Sequence, residues 1–165
     1  MSMRRPRRKL AQRGAAAIEL ALLALPLAGL TFGTTEFGRA LHQYNTIVKS
    51  VRDAARYQTT QTPGDAVAIL AARCLALTGS PASAGANCTG APLLPGLALA
   101  NVQECDRTNW ATNCAGLNHN QQPTGRGVVD LVTVKIVNYN FTSMVPFAMP
   151  SITFGAIGAT MVQPL

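Results

Sequence analysis

Apolar positions fall into three regimes along the chain. Residues 15–35 are almost continuously apolar, and Glu19 is their only charge. That run is close to the roughly 20 residues a membrane-spanning helix needs. Beyond it, Phe37, Leu41, Tyr44, Val48, Val51 and Ala55 recur at intervals of 4, 3, 4, 3 and 4. This spacing predicts that the helix continues over 36–58 as an amphipathic segment with one apolar stripe. Arg39, Gln43, Lys49, Arg52 and Arg56 lie off the stripe. Such a stripe suits packing against the protein's own globular part, with an intermolecular helix seam as the alternative. Pro26 is expected to bend the apolar half by removing a backbone donor. Gly29 and Gly33 are a small-residue pair that lets another helix approach closely.

The second regime is irregular. Thr59–Gly64 ends the helix with β-branched residues, Pro63 and Gly64. Asp65 is a suitable N-cap for a second helix through about Leu77, with Ile69, Leu70, Cys74 and Leu77 on one side and Gly79 as its stop. Residues 79–126 are rich in Gly, Pro, Ala and Asn and show no period, so they need support from elsewhere. In the third regime, Gly127–Phe141 reads as a strand with Val132, Val134 and Ile136 on one face and Leu131, Val137 and Tyr139 on the other. A turn over Thr142–Pro150 leads to a second strand, Ser151–Val162, broken by Gly155 and Gly158. The predicted fold class is α+β: a long N-terminal helix, half membrane-spanning and half amphipathic, then a small disulfide-stapled head over 59–165. That head is expected to end in a β-hairpin or small antiparallel sheet.

Charge changes the picture at one end only. The formal net charge is +7, and six of the fourteen basic residues (Arg4, Arg5, Arg7, Arg8, Lys9, Arg13) precede Gly14. From Ala15 onward eight basic side chains face seven acidic ones, so the rest is nearly neutral. A basic run of this kind can bind nucleic acid, but beside an apolar helix it reads as a membrane-orienting leader. The positive-inside rule then puts residues 1–13 in the cytoplasm and the C-terminal part across the membrane. A removable secretory signal fits less well, since Glu19 interrupts the apolar run and no clean small-x-small triplet follows.

Cys74, Cys88, Cys105 and Cys114 all lie on the side expected to be periplasmic, where disulfides persist. Three pairings are open to them. A four-thiolate metal site is disfavoured, because intervals of 14, 17 and 9 lack the tight pairs that zinc sites use. His42 and His119 have no ligand or triad partner at an interpretable spacing and are expected to be surface residues. Glu104 and Asp106 flank Cys105 and read as a solvated loop; Trp110 reads as a plug for a small disulfide-held core. With no phosphate loop, nucleophile elbow or paired metal motif, neither an enzyme nor a cofactor is expected.

A carboxylate inside a spanning helix costs about 2.5–3.5 kcal/mol and asks for a partner. Cutting the chain after Gly14 would supply one, because Ala15 would then carry a free α-ammonium and Glu19 would be the fifth residue. Basic leader, Gly14, four small or apolar residues, Glu19 and a long apolar helix together resemble a type IV prepilin. More narrowly, Gly14–Leu22 followed by Pro26, then Glu36-Phe37-Gly38-Arg39, then Val51-Arg52-Asp53-Ala54-Ala55-Arg56-Tyr57, resemble the TadE-like family. These are minor pilins, or pseudopilins, of the tight-adherence (Flp, type IVb) pilus machinery of bacteria. Leu20 stands where major Flp pilins carry an aromatic, which sets this chain apart from the main fibre subunit.

The resemblance implies processing by a prepilin peptidase between Gly14 and Ala15. It also implies assembly with other pilins through the N-terminal helix, with Glu19 meeting a neighbour's amine, and contact with the inner-membrane assembly platform. The chain would sit in the bacterial inner membrane with a periplasmic head, or enter a surface pilus that it builds, caps or primes for adhesion. The alternatives are an unprocessed single-span protein with a periplasmic binding or scaffolding domain, and a type II secretion pseudopilin.

Overall fold

One helix, α1 (Arg8–Gln58), carries the first third of the chain, and at 1.5 Å per residue it is roughly 75 Å long. The computed structural model describes residues 8–114 and 117–164, with side chains from residue 14 onward. The basic leader therefore lies outside the described residues except for the helical backbone of 8–13. Pro26 sits inside α1. The chain divides into two compact units: the part up to Arg39 together with Ser143–Pro150, and Ala40–Thr142 together with the part from Ser151 on.

The second unit holds the core and has α+β architecture. After α1 ends, Asp65 caps α2 (Ala66–Thr78) by accepting a hydrogen bond from the Val67 N–H at 2.9 Å, and Gly79 closes it in the left-handed conformation. Both caps are local, which is why the sequence shows them. A short hairpin of β1 (Ser83–Ala84) and β2 (Asn87–Cys88) follows, then a 3-10 turn at Leu99–Asn101 and β3 (Val102–Cys105). Next come the single-turn helix α3 (Trp110–Asn113), β4 (Gln122–Thr124) and β5 (Gly127–Ile136). The chain ends with β6 (Asn140–Phe141), β7 (Ile152–Thr153) and β8 (Ile157–Gln163).

Strand β5 organises the sheet. Its second half pairs antiparallel with β3, Val102 opposite Ile136 and Cys105 opposite Thr133. It also pairs with β8 over seven residues, from Asp130–Gln163 to Ile136–Ile157, and its first three residues pair with β4. Val132, Val134 and Ile136 are buried, as their alternation predicts. The strand stops at Ile136 rather than Phe141 because Asn138 adopts a left-handed φ of 55°. Gly158 does not break the last strand: it lies within β8 opposite Lys135, where a Cβ would come within 2.9 Å of the Lys135 Cβ.

Ile47, Val51, Ala54 and Ala55 from α1 pack with Ala76 and Leu77 from α2, with Leu94 and Leu97, and with Val102, Val134, Ile136 and Tyr139. Alanines at the helix contacts let the backbones approach closely. The two disulfides are Cys74–Cys88 and Cys105–Cys114. The first ties the β1–β2 hairpin to α2, and the second ties the end of β3 to the end of α3.

The apolar stripe needs correction. Val51 and Ala55 are buried and Val48 is partly so, but Phe37, Leu41 and Tyr44 are exposed, Phe37 by 63%. The covered face instead runs through Glu36, Ala40, Gln43, Ile47, Ser50 and Ala54, one residue earlier at the same spacing. Polar members of that face are tolerated because they have partners. The Tyr139 hydroxyl donates to Gln43 Oε1 at 2.9 Å, and Ser50 Oγ donates to the Ile47 carbonyl at 3.0 Å. Periodicity in hydrophobicity is blind to such pairs.

Candidate assembly helix and its clamp

The N-terminal half of α1 exposes nearly every side chain. Ile18, Leu20, Leu22, Leu23, Leu25, Leu27 and Leu30 all stand in the open. This is the one helix among the described residues long and apolar enough to cross a membrane. Its few hydroxyls are internally satisfied: Thr31 donates to the Leu27 carbonyl, Thr34 to that of Leu30 and Thr35 to that of Thr31, at 2.8–2.9 Å. Such back-bonding removes the cost of placing Thr in hydrocarbon. A methyl group added at Gly29 or Gly33 would meet nothing within 4 Å, so this face is open to another helix. Glu19 is exposed, and among the described residues it has no ion-pair partner.

The apolar half ends in a polar clamp. Glu36 is 2% exposed. Its carboxylate accepts from Arg39 Nη1 at 2.7 and 2.9 Å, one turn along the helix. It also accepts from the Ser143 hydroxyl at 3.1 Å and the Met144 N–H at 3.2 Å. Two charge-assisted donors, the Ser143 hydroxyl and the Met144 N–H, thus tie the loop between β6 and β7 to α1. One turn earlier, Phe32 meets Phe147 of the same loop edge to face, with centroids 6.2 Å apart. The sequence marks Glu36 and Arg39 as a motif; their partners, more than 100 residues later, leave no local signal. An acid directly after an apolar run with Arg at i+3 is the one cue available.

In the head, three polar residues read as surface or loop are buried. His119 is fully buried; Nδ1 lies 2.7 Å from the Leu117 carbonyl and Nε2 2.7 Å from the Thr133 hydroxyl, which in turn meets Thr160 Oγ1 at 2.7 Å. Asp106 is also fully buried and gathers the Gly64 and Thr108 N–H groups, the Thr108 hydroxyl and the Asn109 N–H, at 2.5–3.1 Å. It therefore latches the α1–α2 link to the turn after β3. Burial alone would raise its pKa; the Thr108 hydroxyl and the Gly64, Thr108 and Asn109 amides outweigh this and hold the carboxyl below its usual value.

Glu104 behaves oppositely. Burial pushes its carboxyl up to about 7, Asp106 adds to the rise, and a bond from Asn109 Nδ2 at 2.9 Å with the charge of Arg73 offsets only part of it. It borders a cavity of about 130 Å³ together with Arg73, Gln103 and Asn113. No group of three or more metal-ligating side chains occurs among the described residues. His42 lies exposed on α1, and Trp110, half-buried, opens α3 inside the loop closed by Cys105–Cys114.

Residues 14–56 match the family model described as TadE-like protein. Over that span the chain is similar to TadE-like proteins. Neither the curated proteins nor the solved structures yield a match. The TadE-like segment begins at Gly14, takes in Glu19 and the Glu36–Arg39 pair, and ends in the part of α1 that enters the head core. TadE-like proteins are components of the tight-adherence pilus system, and the long apolar helix of this chain suits it to membrane anchoring. Of the site residues expected from sequence, Gly14, Ala15 and Glu19 lie together on the open part of α1, and the four cysteines form two bridges in the head.

Proposed function

We propose that this TadE-like protein is a minor pilin, or pseudopilin, of a tight-adherence pilus, cut by a prepilin peptidase between Gly14 and Ala15. The observation that carries this is the combination on one exposed helix: a family match beginning at Gly14, an apolar face left uncovered by the protein itself, and an unpaired Glu19 within it. A carboxylate in hydrocarbon is tolerated when an ammonium joins it. The cut would create one at Ala15, and a neighbouring subunit would present it to Glu19. Other pilins and the inner-membrane assembly platform are the partners of this reading. The head stands on the periplasmic side, and the protein builds, primes or caps the fibre.

N-terminal sequencing of the protein recovered from cell envelopes tests the reading. A mature chain starting at Ala15 is expected, with Glu19→Gln leaving membrane insertion intact and reducing pilus assembly. An intact arginine-rich start on the envelope form rejects it in favour of an unprocessed tethered domain.

A further inference from the structure

The loop between β6 and β7 has a composition and a placement that its role as a linker does not require. Ser143–Pro150 contains no charged residue. Met144 and Phe147 expose 76% and 80% of their surface. Two large apolar side chains held open on one short loop are costly in water, yet the loop is tightly fixed. Glu36 accepts from Ser143 and Met144, Val145 N–H donates to Ser143 Oγ at 3.1 Å, and the Val145 carbonyl accepts from the Ala148 and Met149 amides. Pro146 and Pro150 restrict it further.

Its level along α1 follows from its contacts. Ser143 and Met144 join the helix at Glu36, the first charge after the apolar run, whereas Phe147 meets Phe32 inside that run. Four residues of helix correspond to roughly 6 Å along the axis. The loop therefore descends from the polar end of the apolar segment to a point about one turn within it. Segments that lie in a membrane interface bury their apolar side chains about 5–10 Å into the headgroup–acyl boundary, and Phe147 falls in that range.

The geometry points to Ser143–Pro150 as a second membrane contact: a lipid-facing wedge whose Phe147 and Met144 enter the leaflet beside the end of the α1 span. The occupant of this surface is the bilayer rather than a protein, because the loop is continuous with the helix surface that the membrane already covers. The inference rests on α1 being membrane-embedded. The Glu36 clamp sets the depth at which the protein rides, since it fixes the wedge against the helix.

Depth-resolved quenching tests this on the full chain in phosphatidylcholine vesicles. The Phe147→Trp variant replaces an exposed aromatic by another and preserves the fold. Its emission is read as the difference from the parent chain, so Trp110 stays in place. Leu25→Trp reports the span, and Val128→Trp, on the exposed β4–β5 hairpin, reports the head. With bromines near the headgroup end of the acyl chains, the Phe147→Trp signal is expected to shift to the blue. It should lose at least half as much intensity as Leu25→Trp loses to bromines at the methyl end, while Val128→Trp is unaffected.

Quenching of Leu25→Trp without quenching of Phe147→Trp overturns the wedge and leaves the span standing. No quenching at either site overturns membrane embedding and the wedge with it. A blue shift at Phe147→Trp that bromines do not touch and that dilution reverses assigns the loop to contact between copies, which also overturns it.

Discussion

The Glu36 carboxylate and the Ser143 hydroxyl, 107 residues apart in sequence, are joined by a buried hydrogen bond of 3.1 Å. Through it the end of an apolar helix fixes a loop that the chain reaches only near its C-terminus. Glu36→Ala is expected to release that loop: the Met144 amide loses its acceptor, and Ser143 and Arg39 lose a shared one. Hydrogen exchange at Met144 should accelerate about tenfold or more while amides in β5 keep their protection. Unchanged exchange at Met144 would show that the loop is held by other contacts.

Glu104 gives the head a pH dependence of unusual sign. Its folded-state pKa of about 7 lies above the ordinary carboxylate value, so the folded protein keeps a proton that the unfolded chain releases. Stability from this group is complete below about pH 4.5 and falls as pH rises to about 7, by on the order of 3 kcal/mol in all. Glu104→Gln should therefore flatten the stability profile and gain most over the parent at about pH 8. Denaturant titrations at several pH values check this, and parallel profiles for the two proteins would refute it. Asp106, held below its usual value, works the other way and withdraws support only in stronger acid.

Gly158 is required by space. A Cβ there would sit 2.9 Å from the Lys135 Cβ and 3.2 Å from the Val134 carbonyl oxygen. Gly158→Ala is expected to cost about 1–3 kcal/mol through displacement of β8 from β5. Gly155→Ala, where nothing lies within 4 Å, should stay within about 0.5 kcal/mol. Thermal melts of the pair provide the comparison, and equal losses would contradict the packing account.

Each disulfide closes a short loop, with sequence separations of 14 for Cys74–Cys88 and 9 for Cys105–Cys114. Replacing either pair by Ser should lower stability by about 2–3 kcal/mol. Peptide mapping under non-reducing conditions checks the connectivity directly, and a Cys88–Cys105 or Cys74–Cys114 peptide would contradict it.

What the sequence shows of this fold divides along the range of the interaction involved. Asp65 and Gly79 mark the ends of α2 because capping is settled within a turn, and Val132, Val134 and Ile136 mark a strand face because alternation is settled within the strand. The buried acids and His119 are not legible in this way. Asp106 is covered because Gly64, 42 residues earlier, comes back to it, and His119 because Thr133 does; neither partner is signalled nearby. The α1 stripe shows the same limit. Two sets of positions share one spacing, and the first members of the greasier set, Phe37, Leu41 and Tyr44, stay exposed while only its later members Val51 and Ala55 are buried. Strands β3 and β4 escape notice for another reason: three or four residues are too few to display a period. The apolar first half of α1 is legible as a helix, since its length and composition do not depend on tertiary partners.

Both bridges join cysteines that are consecutive along the chain. A polypeptide entering an oxidising compartment from its helix onward presents Cys74 and Cys88 before Cys105 and Cys114 have emerged. Oxidation on a first-come basis then yields the native connectivity, with no wrong pair to be reshuffled. With the head on the periplasmic side, as proposed, its maturation would keep pace with its export, and an oxidase would suffice where crossed bridges demand an isomerase.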